Sequence, residues 1–282
     1  MATKTITRET VKIEKNGDGI TWLYLNRPEK RNAMSPTLHR EMAEAIDELA
    51  TDPETLVLVV TGAGKAFCAG QDIALNFRGR ETATPAENRR NRANSASWRW
   101  DKLVTFPKPT IAMVNGFCFG GAFTPLCACD YAIAADEAIF GLSEVNWGIL
   151  PGGIVSWNVV QMMNYRDAIY YGTTGDTFDG KQAKQMGLVT LHYPLEQLRD
   201  ETIKFAKKMI EKSPAAVRYT KEAIRAVRFM NEPQAEDYLN AKSDALKHVD
   251  KENGRQEGMR QFLDEKSYRP GLGHFKRKKK VG

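Results

Sequence analysis

Ile111-Ala112-Met113-Val114-Asn115-Gly116-Phe117-Cys118-Phe119-Gly120-Gly121-Ala122-Phe123-Thr124-Pro125-Leu126-Cys127-Ala128-Cys129-Asp130-Tyr131-Ala132-Ile133-Ala134-Ala135 carries a single charge, Asp130. As one helix it would be long enough to span a bilayer. Asn115, the Gly120-Gly121 pair and Pro125 break it into shorter pieces. It therefore reads as a buried strand over 109–114, a small-residue helix over 120–129 and a second buried strand over 130–134. Strand, helix and strand in so short a span imply a crossover between strands of an α/β body. The stretch is protein core, and no membrane association is expected.

The pattern extends upstream. Residues 20–25 and 56–61 are β-rich runs, and Ser35-Pro36 opens an amphipathic helix, with Ser35 able to cap it and Pro36 suited to its first turn. Gly62-Ala63-Gly64 is a turn, and residues 87–103 form an exposed helical candidate whose Trp98 and Trp100 read as half-exposed aromatics packing on the body. Beyond about residue 196 the strands stop, and 198–212, 215–229, 235–249 and 254–263 carry helical periodicity. The expected division is an α/β core over 1–195, a helical region over 196–275 and a basic tail over 276–282.

Composition narrows the class. The chain has 282 residues, 42% hydrophobic and 27% charged, values of a globular protein rather than a collagen-like, disordered or disulfide-scaffolded one. Of the net charge of +6, five positive charges come from Lys276, Arg277, Lys278, Lys279 and Lys280. The body is nearly neutral, and the run reads as a solvated, frayed tail rather than a nucleic-acid-binding arm. Cys68, Cys118, Cys127 and Cys129 are too sparse for a disulfide framework and lack zinc-ribbon spacing; His39, His192, His248 and His274 form no HxxxH pair. No metal site is expected. The N-terminus lacks an apolar segment behind a basic start, so a cytoplasmic location is expected.

Three segments carry candidate chemistry. Gly64-Lys65-Ala66-Phe67-Cys68-Ala69-Gly70-Gln71-Asp72 follows a strand, and Gly116-Phe117-Cys118-Phe119-Gly120-Gly121-Ala122 precedes a helix. Glycine lets a ligand approach backbone N–H groups, and those at a helix start are unpaired. Singly, each segment reads as a turn that lets a helix pack closely; together they can form an oxyanion hole, in which each donor is worth about 3 kcal/mol to a developing negative charge. In Phe140-Gly141-Leu142-Ser143-Glu144-Val145-Asn146-Trp147-Gly148 a lone carboxylate sits among apolar neighbours. Glu144 reads equally as a general acid/base with a raised pKa or as a capping or solvent-facing glutamate beside a structural tryptophan.

These segments, with Asn26-Arg27-Pro28-Glu29-Lys30-Arg31-Asn32-Ala33-Met34, resemble the crotonase (enoyl-CoA hydratase/isomerase) superfamily in order and separation across most of the chain. The resemblance implies a spiral of ββα units, a helical C-terminal region that builds homotrimers or dimers of trimers, and an acyl-CoA thioester as ligand, with no further cofactor. It assigns the oxyanion hole to the N–H groups of Gln71 and Gly121, and CoA binding to Lys30, Arg31, Ala33, Ala69 and Asp72.

Simple hydratases of this superfamily use two glutamates, one at the position of Glu144 and one where this chain has Thr124. A single carboxylate is the pattern of the 4-hydroxycinnamoyl-CoA (feruloyl-CoA) hydratase-lyase branch, which is similar to this chain almost end to end. The resemblance then makes Glu144 the acid/base, with Thr124 orienting a water or hydroxyl. That branch is expected to hold the substrate phenol with two tyrosines; Asn76 and Asn240 stand there instead, and with Trp147 they are assigned to the substrate pocket. The expected activity is hydration of an aryl 2-enoyl-CoA followed by retro-aldol cleavage to an aromatic aldehyde and acetyl-CoA. The alternatives are a 2-enoyl-CoA hydratase/isomerase for another acyl chain, a crotonase-fold RNA-binding protein, and a catalytically silent scaffold.

Overall fold

The computed structural model describes residues 3–277. These fall into two compact units, one comprising 3–106 and 110–204, the other 107–109 and 205–277.

The first unit is α/β. Its strands are Lys4–Thr7 (β1), Val11–Lys15 (β2), Ile20–Leu25 (β3), Val57–Gly62 (β4), Ala66–Cys68 (β5), Thr110–Val114 (β6), Phe117–Phe119 (β7), Tyr131–Ala135 (β8), Phe140–Gly141 (β9), Thr177–Phe178 (β10) and Leu191–Tyr193 (β11). A larger sheet takes the order β1-β2-β3-β4-β6-β8-β11 and a smaller one β10-β9-β7-β5. The chain repeats one passage three times: a strand in the large sheet, a short strand in the small sheet, then a helical segment. β4 leads to β5 and residues 74–82, β6 to β7 and 120–128, and β8 to β9 and 143–147. The β3–β4, β4–β6, β6–β8, β5–β7 and β7–β9 pairs are parallel, so each repeat steps one place along both sheets. That is the expected spiral of ββα units.

Every residue of β3, β4 and β6 is buried, as parallel strands covered on both faces require. The 111–135 stretch accordingly supplies β6, β7, the buried helix Phe123–Ala128 and β8, and among the described residues no helix is long and apolar enough to cross a membrane. The helix Pro36–Thr51 starts as expected, with Ser35 Oγ accepting from Leu38 N–H and Pro36 in its first turn. The four cysteines are buried and form no disulfide, and burial pushes the Cys68 thiol up to about 12.

Residues 87–103 depart from expectation. The helix covers Pro85–Ala96 and continues as a π-helical turn, Ser97–Lys102. Trp98 is fully buried rather than half-exposed, because the wider turn rotates it inward. Trp100 stands edge-on to Trp157, ring centroids 5.3 Å apart.

The second unit is helical, with Pro214–Val227, Glu232–Val249 and Gly254–Met259 followed by a π-helical turn, Arg260–Asp264. Glu222 joins the first two helices through Lys242 at 2.6 Å. The basic tail lies partly outside the described residues, and its described part is not frayed. Arg277 donates to Glu252 and, at 2.7 Å, to the Ile210 carbonyl, and Lys276 N–H donates to Gln261 Oε1.

Candidate active site

The first repeat brings Gln71 to the site by a backbone device. Met34 and Gln71 form an isolated parallel bridge in which Met34 N–H donates to the Gly70 carbonyl at 2.8 Å and Asp72 N–H to the Met34 carbonyl at 3.0 Å. Such a bridge uses the groups flanking Gln71, so the N–H of Gln71 itself points to the opposite side. Gly70 allows this at φ +88°, and a Cβ there would stand 2.8 Å from the Phe119 carbonyl oxygen and 3.6 Å from the Gly121 nitrogen. The two glycine turns are therefore neighbours. Among the described residues neither the Gln71 nor the Gly121 N–H donates to a protein acceptor; Gly121 lies in the first turn of a 3-10 helix, where donors have no intrahelical partner.

Glu144 belongs to the short helix Ser143–Trp147 after β9. It is buried, and its Oε2 has no hydrogen-bond partner. Burial raises its carboxyl above the ordinary carboxylate range. A Cβ on Gly120, whose φ is +52°, would lie 2.8 Å from Glu144 Oε1; the bare glycine leaves room for the carboxylate beside the second oxyanion turn.

A buried relay that sequence reading missed holds Gln71. The indole Nε1 of Trp98 donates to His39 Nδ1 at 2.8 Å, and His39 Nε2 lies 3.0 Å from Gln71 Oε1. An indole is only a donor, so Nδ1 must be bare and Nε2 must carry the proton and donate onward. Burial lowers the His39 pKa to about 3, with help from nearby Arg99 and Arg80, and the ring stays neutral. Asn76 adds a second bond to Gln71 Oε1 at 2.8 Å and also donates to the Met34 carbonyl.

The other assigned residues are placed as follows. Asn76 is buried behind Gln71 and does not line the cavity, because both amide contacts pull it inward. Thr124 does not reach the cavity either: it is 1% exposed in the wholly buried helix Phe123–Ala128, and its Oγ1 has no partner. Asn240 is exposed on the helix Glu232–Val249 of the second unit. Trp147 does line the cavity, edge-on to Phe77 at 5.4 Å.

The predicted CoA segment is assembled around Asn32. Its amide donates to the carbonyls of Ala63 and Ala66 while its Oδ1 accepts from Arg27 N–H. Ala69 N–H donates to the Arg31 carbonyl and Ala33 N–H to that of Lys30, and Arg27 pairs with Asp72 at 3.0 Å. The turn carrying Lys30 and Arg31, both exposed, is thus fastened to the Ala69–Asp72 strip.

The cavity these pieces enclose measures about 480 Å³, within the range of small-molecule sites. Gln71, Gly121 and Glu144 line it, as do Phe77, Arg80, Arg92, Ser95, Ala96 and Arg99. The missed helical part of the lining had a sequence signal. Residues 92, 95, 96 and 99 follow the i, i+3, i+4, i+7 spacing of one helix face, with Arg92, Ser95 and Arg99 where an apolar inward stripe belongs. Among the described residues no cluster of side chains could hold a metal ion.

The sequence profile of the enoyl-CoA hydratase/isomerase family matches residues 15–269. The chain is 50% identical over 269 residues to the hydroxycinnamoyl-CoA hydratase-lyase of Pseudomonas fluorescens, covering 95% of this chain and 97% of that protein. Its fold is similar to the solved enoyl-CoA hydratase of Bacillus anthracis, with a TM-score of 0.81 and 27% identity over 91% of this chain and 97% of that one. It is also similar to the enoyl-CoA hydratase structure from Mycobacterium smegmatis, with a TM-score of 0.82 and 24% identity over 92% and 97%.

Proposed function

The chain belongs to the enoyl-CoA hydratase/isomerase family, and from that premise we propose that it is an acyl-CoA hydratase-lyase acting on an aryl 2-enoyl-CoA of the hydroxycinnamoyl type. The observation that carries this reading is Glu144, the one carboxylate lining the cavity among the described residues, beside two undonated backbone N–H groups.

In hydration, Glu144 takes a proton from water as the water oxygen bonds to the β-carbon. The alkene electrons move through the α-carbon to the thioester oxygen, where the Gln71 and Gly121 N–H groups receive the negative charge. The protonated Glu144 then delivers its proton to the α-carbon, giving the 3-hydroxyacyl-CoA. In cleavage the same carboxylate removes the β-hydroxyl proton, the bond between α- and β-carbons breaks, an aromatic aldehyde leaves, and the acetyl-CoA enolate takes the proton back at carbon. One carboxylate with a raised pKa suits both directions, since it is a stronger base when ionised and can still be protonated. Thr124 is left out of this scheme because its hydroxyl is enclosed.

The CoA thioester is the ligand, without a further cofactor, and Lys30, Arg31, Ala33, Ala69 and Asp72 flank its nucleotide. The exposed Ile224 and Phe229 of the helical unit suit burial in a homotrimer or dimer of trimers, and a cytoplasmic site of action fits a CoA-dependent reaction.

The test is a product assay with feruloyl-CoA, cinnamoyl-CoA and crotonyl-CoA. Release of an aromatic aldehyde with acetyl-CoA is expected; water addition without cleavage on the aryl substrates would leave a hydratase.

A further inference from the structure

Arg80, Arg92 and Arg99 line the same cavity as Glu144, and among the described residues none of them has a carboxylate partner. Arg99 is the most enclosed. Its Nε donates to the Ser95 carbonyl at 2.9 Å, which leaves the other guanidinium N–H groups available to a ligand. Burial and the like charge of Arg80 bring it down to about 10, which still leaves it protonated at neutral pH. Phe77 and Trp147 line the same cavity edge to edge. An aryl group held there thus meets apolar rings and cations together.

A cation enclosed without a counter-charge is unfavourable unless something supplies an anion. The phenol anchor expected at Asn76 is absent, because that amide is committed to Gln71 and Met34. Resting on the hydratase-lyase reading, we infer that the aryl group of the substrate carries a carboxylate on the ring, remote from the thioester, and that Arg99 with Arg80 binds it. A guanidinium offers two parallel N–H donors to the two oxygens of a carboxylate, a match that a neutral phenol cannot make.

The test compares 4-carboxycinnamoyl-CoA with cinnamoyl-CoA in the wild type and in Arg99→Gln and Arg99→Lys. The wild type should favour the carboxylated substrate in kcat/KM by about tenfold or more, the discrimination expected of one charge-assisted contact. Arg99→Gln should collapse that ratio by about tenfold to a hundredfold, and Arg99→Lys should restore part of it. Equal losses on both substrates would overturn the inference, since they would place the arginines on the CoA phosphates or in the protein framework. Calorimetric binding of the unreactive saturated analogues, 3-(4-carboxyphenyl)propanoyl-CoA and 3-phenylpropanoyl-CoA, gives an answer independent of turnover. Tighter binding of the carboxylated analogue, weakened by salt, supports the inference even if no aryl-CoA is cleaved; equal binding of the two refutes it even if cinnamoyl-CoA is a good substrate.

Discussion

The two sides of the cavity are made by different means. The side carrying Gln71 and Gly121 is backbone architecture, fixed by the Met34–Gln71 bridge, by glycines at positive φ and by the Asn32 bonds that hold the preceding loop. The side carrying Phe77, Arg80, Arg92 and Arg99 consists of helical segments with π-helical turns at Ala74–Arg78 and Ser97–Lys102, and it reaches the ligand only through side chains. A backbone donor survives most substitutions at its own position, whereas a side-chain wall changes with each one. The first side is suited to chemistry common to every acyl-CoA, the second to choosing among acyl groups. Irregular π turns often occur at such functional walls because the extra residue re-aims a side chain.

The comparison breaks most sharply at Glu144. Glu144→Ala should lower turnover by about two to four orders of magnitude on every substrate; an undiminished rate would refute the chemistry whatever the fold. The pH profile should agree. Because the Glu144 pKa is raised, kcat/KM should fall on acidification at a pH above the ordinary carboxylate range, as the base becomes protonated. Stability runs the other way. The folded state holds this proton more tightly than the unfolded one, so ionisation above the unfolded pKa opposes folding, and Glu144→Gln should melt higher than wild type at neutral pH.

Gly120→Ala comes next. It puts a methyl 2.8 Å from Glu144 Oε1 in a left-handed backbone, which should cost about 1–2 kcal/mol of stability and about a hundredfold in kcat through a displaced carboxylate. A comparable alanine on the helical side, Arg92→Ala, should change substrate ratios more than kcat.

The relay sets a smaller effect. Trp98→Phe leaves His39 Nδ1 buried without a donor and should cost about 1–3 kcal/mol, with a fall in kcat as Gln71 loosens. Since the folded His39 pKa is depressed to about 3, the unfolded chain binds the extra proton between that value and the ordinary histidine pKa. Stability should therefore decline as pH falls through this window, and His39→Asn should flatten that part of a urea-melt series. An unchanged slope would show that His39 is not held neutral.

Several elements were legible because their causes are local. Ser35-Pro36 marks a helix start by capping chemistry, the 111–135 stretch is divided at Asn115 and its glycines, and the glycine turns and Glu144 stand out within a few residues of chain. The relay was not legible, since Trp98 and His39 are 59 residues apart and His39 and Gln71 are 32 apart, and neither carries a local mark of its partner. The bonds of Asn76 were hidden for a related reason: an amide at a pocket position can face the ligand or the protein, and only the fold brings Gln71 Oε1 within reach.

The sequence by itself determined four strands of the larger sheet, the helix opening at Ser35-Pro36, the two glycine turns and the lone carboxylate, because hydrophobic period, capping and glycine act over a few residues. Only the tertiary structure decided that the two turns adjoin, that Thr124 is enclosed, that a neutral histidine steadies Gln71, and that three arginines line the cavity that holds Glu144. Those outcomes depend on which distant segments share a space and on which polar groups, once buried there, find partners.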